Sequence, residues 1–155
     1  MTKSDILKYL KENQDERGIA HWENHAEKSG GLKTFGVGLT KLRKYAKTIG
    51  RDAKLAAQLW MSDIYEMKII SLLIDDPKTM TLEQADRQVD ELHGGYLAHV
   101  ISTCGAPLAV APFSIQLVDL WIKSDDKTRL RCGYGLLYEI AKSKKKSAPG
   151  DGYFL

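Results

Sequence analysis

Apolar residues recur three and four positions apart along most of the chain, a period near that of the α-helix. Ile6, Leu7 and Leu10 begin the pattern, and Leu39, Leu42, Tyr45, Ala46 and Ile49 continue it. In that second stretch Thr40 reads as an N-cap and Gly50 as a stop. Residues 51–61 form a further expected helix, burying Leu55, Ala56 and Leu59. Residues 63–74 carry Ile64, Met67, Ile70 and Leu73 on one face and halt at Asp75-Asp76-Pro77. Thr81 is the expected cap of a helix over 82–92, where Glu83 suits the first turn. Beyond the break at Gly94-Gly95, helices are predicted near 96–104, 112–122 and 127–143. Nowhere do β-branched residues alternate over a strand's length, so the expected class is all-α.

These elements are short and closely linked, as in a succession of antiparallel helices. Leu59-Trp60-Met61-Ser62-Asp63 is echoed by Leu120-Trp121-Ile122-Lys123-Ser124-Asp125, each time at a helix end before another helix. A recurring helix pair is the mark of an α-solenoid, although a helical bundle produces the same periodicity. Trp60 and Trp121, at equivalent places in the echo, are expected in the core between helices. The expected organisation is one helical-repeat domain over 1–142, followed by a flexible basic tail over 143–155.

At 155 residues and 43% hydrophobic content the chain is long and apolar enough for one compact core. A net charge of +3 says little, but its distribution is uneven. Between Lys33 and Lys54 stand seven Lys or Arg and the single acid Asp52. Between Asp75 and Glu91 six acids oppose Lys78 and Arg87. Such segregation favours a basic surface on one side. Cys104 and Cys132 form no metal-binding pattern and read as two buried thiols in a reducing compartment. The N-terminus is charged throughout, and the most apolar run, 105–113, is too short to span a bilayer. A cytoplasmic protein with no membrane association is expected.

Thr34-Phe35-Gly36-Val37-Gly38-Leu39-Thr40 resembles a phosphate-binding loop and fails both tests for one. A dinucleotide fingerprint needs a preceding strand and a third glycine where Lys41 stands, and a P-loop needs four residues between its glycines. No cofactor is therefore expected. The glycines read instead as a tight lead-in to a helix. On that helix Lys41, Arg43, Lys44 and Lys47 gather opposite Leu42, Tyr45 and Ile49, with no acid among them. The bland alternative is a solvated lysine face. His21 and His25 are spaced to share a metal, but no third ligand follows, and no metal is expected. Lys142, Lys144, Lys145 and Lys146 read either as a solubilising end or as an added attraction for DNA.

Taken in order, Phe35-Gly36-Val37, Leu42-Arg43, Leu59-Trp60, Glu66 with Lys68, Asp76-Pro77 and Thr81 resemble the DNA alkylation repair proteins. These are the HEAT-like-repeat type of alkylpurine DNA glycosylase, and the likeness runs from about Gly18 to Leu155. It implies a right-handed α-solenoid of HEAT-like helix pairs whose concave basic face holds double-stranded DNA. It also implies hydrolysis of the N-glycosidic bond of cationic alkylpurines, with a carboxylate stabilising the charge left on the sugar. On the matching run, Tyr96 stands where the family has tryptophan, and Leu97 and Val100 stand where it has acids. The family arginine falls at Arg131, with Arg129 two residues earlier.

The expectation is therefore a short family member that binds duplex DNA with its glycosylase chemistry weak or lost. Lys41, Arg43, Lys44, Lys47, Arg129 and Arg131 would contact phosphates, and Tyr96 would line the cleft with Arg131. One alternative is an active glycosylase excising N3- or N7-alkylated purines with a relocated carboxylate; Asp90, Glu91 and Asp119 are the nearby acids, and His99 is a poor substitute. Another is a protein-interaction scaffold. Self-association through the end of the solenoid is a further expectation.

Overall fold

The computed structural model describes residues 1–147 except Ala26, Lys28 and Cys104, with the backbone alone for 143–147. Among the described residues the regular structure is helical. In chain order the helices are α1 (Lys3–Glu12), α2 (Glu16–Glu23), α3 (Leu39–Ile49), α4 (Ala53–Trp60), α5 (Tyr65–Ile74), α6 (Leu82–Val89), α7 (Leu97–Ser102), α8 (Ser114–Ile122) and α9 (Lys127–Ser147). Extended pairing among these residues is limited to one isolated bridge between Lys33 and Ile64. The chain forms two compact units, Met1–Asp76 with Leu92–Leu97, and Pro77–Glu91 with the chain from Ala98 onward.

In the first unit local caps set the helix starts. Thr2 and Asp5 form a reciprocal capping box on α1, Asp15 caps α2, and Asp52 caps α4. Ile6, Leu10, Leu42, Leu59, Ile69, Ile70 and Ile74 make the core. α5 is buried on nearly every side, so its polar residues must find partners inside. Lys68 Nζ donates to the Trp60 carbonyl at 2.6 Å and sits 4.1 Å from the centre of the Trp60 ring. Ser71 Oγ donates to the Ala56 carbonyl at 2.7 Å. These bonds cross from α5 to α4, the closest helix pair of this unit.

In the second unit Thr81 caps α6 as its sequence indicates, accepting from Gln84 N–H at 3.1 Å. α8 and α9 are its closest pair, around Leu117, Trp121, Cys132, Leu136 and Ile140. The apolar run at 105–113 contains a 3₁₀ turn, Pro107–Val110, with proline at its start. Cys132 is buried, and that burial pushes its thiol up to about 11. Its counterpart in the sequence reading, Cys104, lies outside the described residues. α9 continues to Ser147, so the backbone of 143–147 is helical where a tail was expected. The remainder of that tail, 148–155, and the side chains of Lys144, Lys145 and Lys146 lie outside the described residues.

The sequence echo has a structural counterpart in each unit. Trp60 closes α4 and Trp121 stands next to the end of α8, and both are buried. Each meets the helix that follows: Trp60 takes Lys68 of α5, and Trp121 lies where a side chain on Gly133 of α9 would collide.

Candidate nucleic-acid interface

The loop before α3 is held from beneath by a carboxylate far away in sequence. Glu66, fully buried at the start of α5, accepts from Thr34 Oγ1 at 2.6 Å, from Phe35 N–H at 3.2 Å and from Val37 N–H at 3.0 Å. A charged acceptor collecting several donors is the strong form of hydrogen bonding, and it fixes the path of the loop. Gly36 is required there. Its φ is +73°, and a Cβ would lie 2.2 Å from the Asp15 carbonyl oxygen. The loop thus lies directly on the start of α2, where Asp15 N–H donates to the Phe35 carbonyl at 2.9 Å.

This arrangement corrects the expected cap. α3 starts at Leu39, with Gly38 as N-cap and no side-chain cap bond, so Thr40 falls inside the first turn. Because Glu66 already positions the loop, the helix begins where the loop delivers it. No local hydroxyl is needed.

The loop, α2 and the segment around Gly95 enclose an open cleft of about 450 Å³. Its lining includes Trp22, Tyr65, Tyr96, His21 and His25, and none of the described lining residues is acidic. Trp22 and Tyr65 pack with ring centres 4.5 Å apart, and Trp22 Nε1 donates to the Leu32 carbonyl at 2.9 Å. Burial pushes the Tyr65 hydroxyl up to about 12, so it stays neutral, and its oxygen accepts from Tyr96 N–H at 2.8 Å. A Cβ on Gly95 would sit 2.5 Å from the Tyr65 ring, which is why the chain turns there on glycine. Tyr96 itself is 58% exposed at the edge of the cleft. His21 and His25 are in ring contact, and no cluster of three potential metal ligands occurs among the described residues.

Along α3, Leu42 and Ala46 are buried, while Lys41, Arg43, Lys44 and Lys47 are exposed. The four cations share the outward side of the helix, and the helix contains no acid. Its first turn opens beside the cleft, since Gly38 and Leu39 belong to the lining.

Arg129 is engaged with acids of its own unit. Its guanidinium donates to Asp86, Asp90 and Asp126, each at 2.9 Å, and also to the Asp86 carbonyl at 2.8 Å. Asp86 in turn accepts from Trp121 Nε1 at 2.9 Å. Burial acts to raise the Asp86 carboxyl, but the bonds from Trp121 and Arg129 outweigh it and hold it below the usual range. With its charge met by three carboxylates and only 19% of its side chain exposed, Arg129 joins α6 to α9. Arg131, two positions on, is exposed on α9.

The DNA alkylation repair enzyme family model matches residues 6–148 of the chain. The chain belongs to that family. No curated protein sequence matches it. One solved structure comes from a new family of proteins related to the HEAT-like repeat DNA glycosylases, with affinity for branched DNA structures. The two chains are 22% identical with a TM-score of 0.73, over 88% of this chain and 56% of the other. The fold is therefore that of HEAT-like helical repeats, which resolves the choice that periodicity left open between repeat and bundle. This chain spans little more than half the length of that relative.

Within this DNA alkylation repair family member, Leu97 and Val100 are both fully buried. They are core residues of α7, and neither side chain is open to a ligand. Of the acids weighed as replacements, Asp90 holds Arg129 and Asp119 pairs with Lys123 at 3.0 Å, and neither these nor Glu91 is among the described residues lining the cleft. Sequence reading missed Trp22 and Tyr65 as cleft residues. The available signal was Gly36 and Gly95, which mark close approaches, Gly36 to the backbone at the start of α2 and Gly95 to the Tyr65 ring.

Proposed function

We propose that the chain binds duplex DNA, with Lys41, Arg43, Lys44 and Lys47 on the phosphates. Tyr96 lies against the strand at the aromatic cleft. One observation carries this reading: α3 presents four exposed cations and no acid, on a helix whose approach loop is locked by Glu66. The uncapped first turn adds N–H groups that favour an anion. The affinity of the structural relative for branched DNA supports DNA as the ligand. Contacts of this kind go to the backbone, so they give affinity through counterion release and little sequence preference. Arg129 is left out of the set, because three carboxylates already hold it.

In the same reading, base excision is weak or lost. Stabilising the cationic sugar requires a fixed carboxylate, and both the buried apolar pair Leu97 and Val100 and the lack of an acid among the described residues of the cleft lining speak against one there.

Fluorescence anisotropy on a labelled duplex at increasing salt tests the binding. Affinity is expected to fall steeply, and Lys41→Ala or Lys44→Ala to reduce the log–log salt slope by about 1 each, similarly for all sequences. An affinity that stays flat from low to moderate salt would overturn the proposal. No DNA affinity at all would point to the protein-scaffold reading instead.

A further inference from the structure

α9 carries a second surface that the duplex reading does not use. Lys127, Arg131, Tyr134, Tyr138 and Lys142 follow one another at spacings of four, three, four and four. On a helix of 3.6 residues per turn they fall within an arc of about 80°. All five are exposed, Tyr134 by 58% and Tyr138 by 64%. The opposite side of α9 holds Cys132, Leu136 and Ile140 in the core, together with Glu139, which is 8% exposed. The outward arc therefore contains two bare aromatic rings flanked by cations, and no acid.

We infer that this face of α9 is a platform for an unpaired DNA strand, with bases stacked on Tyr134 and Tyr138 and phosphates on Lys127, Arg131 and Lys142. Exposed aromatic rings set among cations are the chemistry by which proteins hold single strands, because every base offers a face and every linkage a charge. Spacing decides against a duplex. The two tyrosines are four residues apart, ~6 Å along the helix axis. Successive base pairs in a closed duplex lie ~3.4 Å apart, with their faces already covered. Only a stretched, unpaired strand offers open faces at the wider interval. The stripe from Lys127 to Lys142 is about 22 Å long, enough for roughly four nucleotides.

This inference goes beyond the duplex reading and fails separately from it, since α3 and α9 are changed by different substitutions. The test uses the full chain and three labelled probes: oligothymidylate, its duplex with oligodeoxyadenylate, and a forked duplex with unpaired arms. Oligothymidylate binding is expected to weaken roughly tenfold in Tyr134→Ala and again in Tyr138→Ala. Duplex binding should change less than twofold. Tyr134→Phe and Tyr138→Phe keep the ring and should retain the affinity, which separates stacking from a folding defect. The forked duplex should bind more tightly than the closed one, and lose that advantage in the alanine variants. Photocrosslinking to a 5-iodouracil-substituted strand should label the peptide containing Tyr134 and Tyr138. Absent oligothymidylate binding, or alanine variants that bind it as well as the parent, would overturn the inference. So would a dimer in sedimentation that the alanine variants abolish, which would assign the face to a second copy of the chain.

Discussion

Glu66 shows how much one buried side chain can decide. It is inaccessible to any ligand, yet it sets the path of the loop that delivers α3, and so the direction in which Lys41, Arg43, Lys44 and Lys47 point. Glu66→Gln tests this with almost no change in volume. An amide keeps one acceptor oxygen and brings an NH₂ group against backbone N–H donors, so at least one donor loses its partner. The expected cost is about 1–3 kcal/mol in denaturant unfolding, with weakened DNA binding as the loop relaxes. A midpoint unchanged from the parent would show that the three bonds contribute nothing net. In sequence Glu66 was visible as part of a motif, but its task was not. Its partners stand 29 to 32 residues earlier, beyond any local rule. The same distance explains why Thr40 read as a cap: a hydroxyl at the head of a basic helix is a sound local signal until a remote carboxylate fixes the loop first.

At the level of helices, periodicity located most elements because each buries an apolar face, and the caps Asp52 and Thr81 with the stop at Gly50 obey local chemistry. Charge roles were less legible. Arg129 and Arg131 are near neighbours in sequence, and only the folded chain distinguishes them. Arg129 meets Asp86 and Asp90, 43 and 39 residues upstream, while Arg131 points away from the core. The network joining α6 to α9 also has a pH signature. Asp86 and Asp90 are both held below their ordinary range. A carboxyl depressed in the folded state stabilises above its unfolded value, about 4, and that contribution disappears as pH falls through the folded value. Arg129→Met should therefore be less stable at neutral pH, by a small margin, since solvent screens the exposed acids. The gap should close below about pH 4. Denaturant unfolding between pH 2 and 7, measured on both proteins, checks this; a gap that is constant with pH would remove the carboxylates from the account.

For the molecule as a whole, the proposed reading is that the family fold and its catalytic chemistry separate at α7. A HEAT-like chain can keep its helix pairs, its cation-bearing helix and an aromatic cleft while the positions expected to carry acids become core. The family resemblance exposed the substitution at Leu97 and Val100, but not its consequence, because a missing acid in an open cleft is replaceable and a buried apolar side chain is not. Two measurements follow. On methylated duplex DNA that the protein demonstrably binds, release of N3- or N7-alkylpurines should stay at the uncatalysed rate. Restoring the acid should not help: Val100→Asp would place a carboxyl at a fully buried position, at a cost of about 3 kcal/mol or more. The expected outcome is a destabilised protein, seen as a lower denaturant midpoint, still without base release. A Val100→Asp protein that is as stable as the parent and excises alkylpurines would mean that position 100 faces the cleft after all. Release by the parent itself above the uncatalysed rate would mean that catalysis here does not need a carboxylate in the cleft.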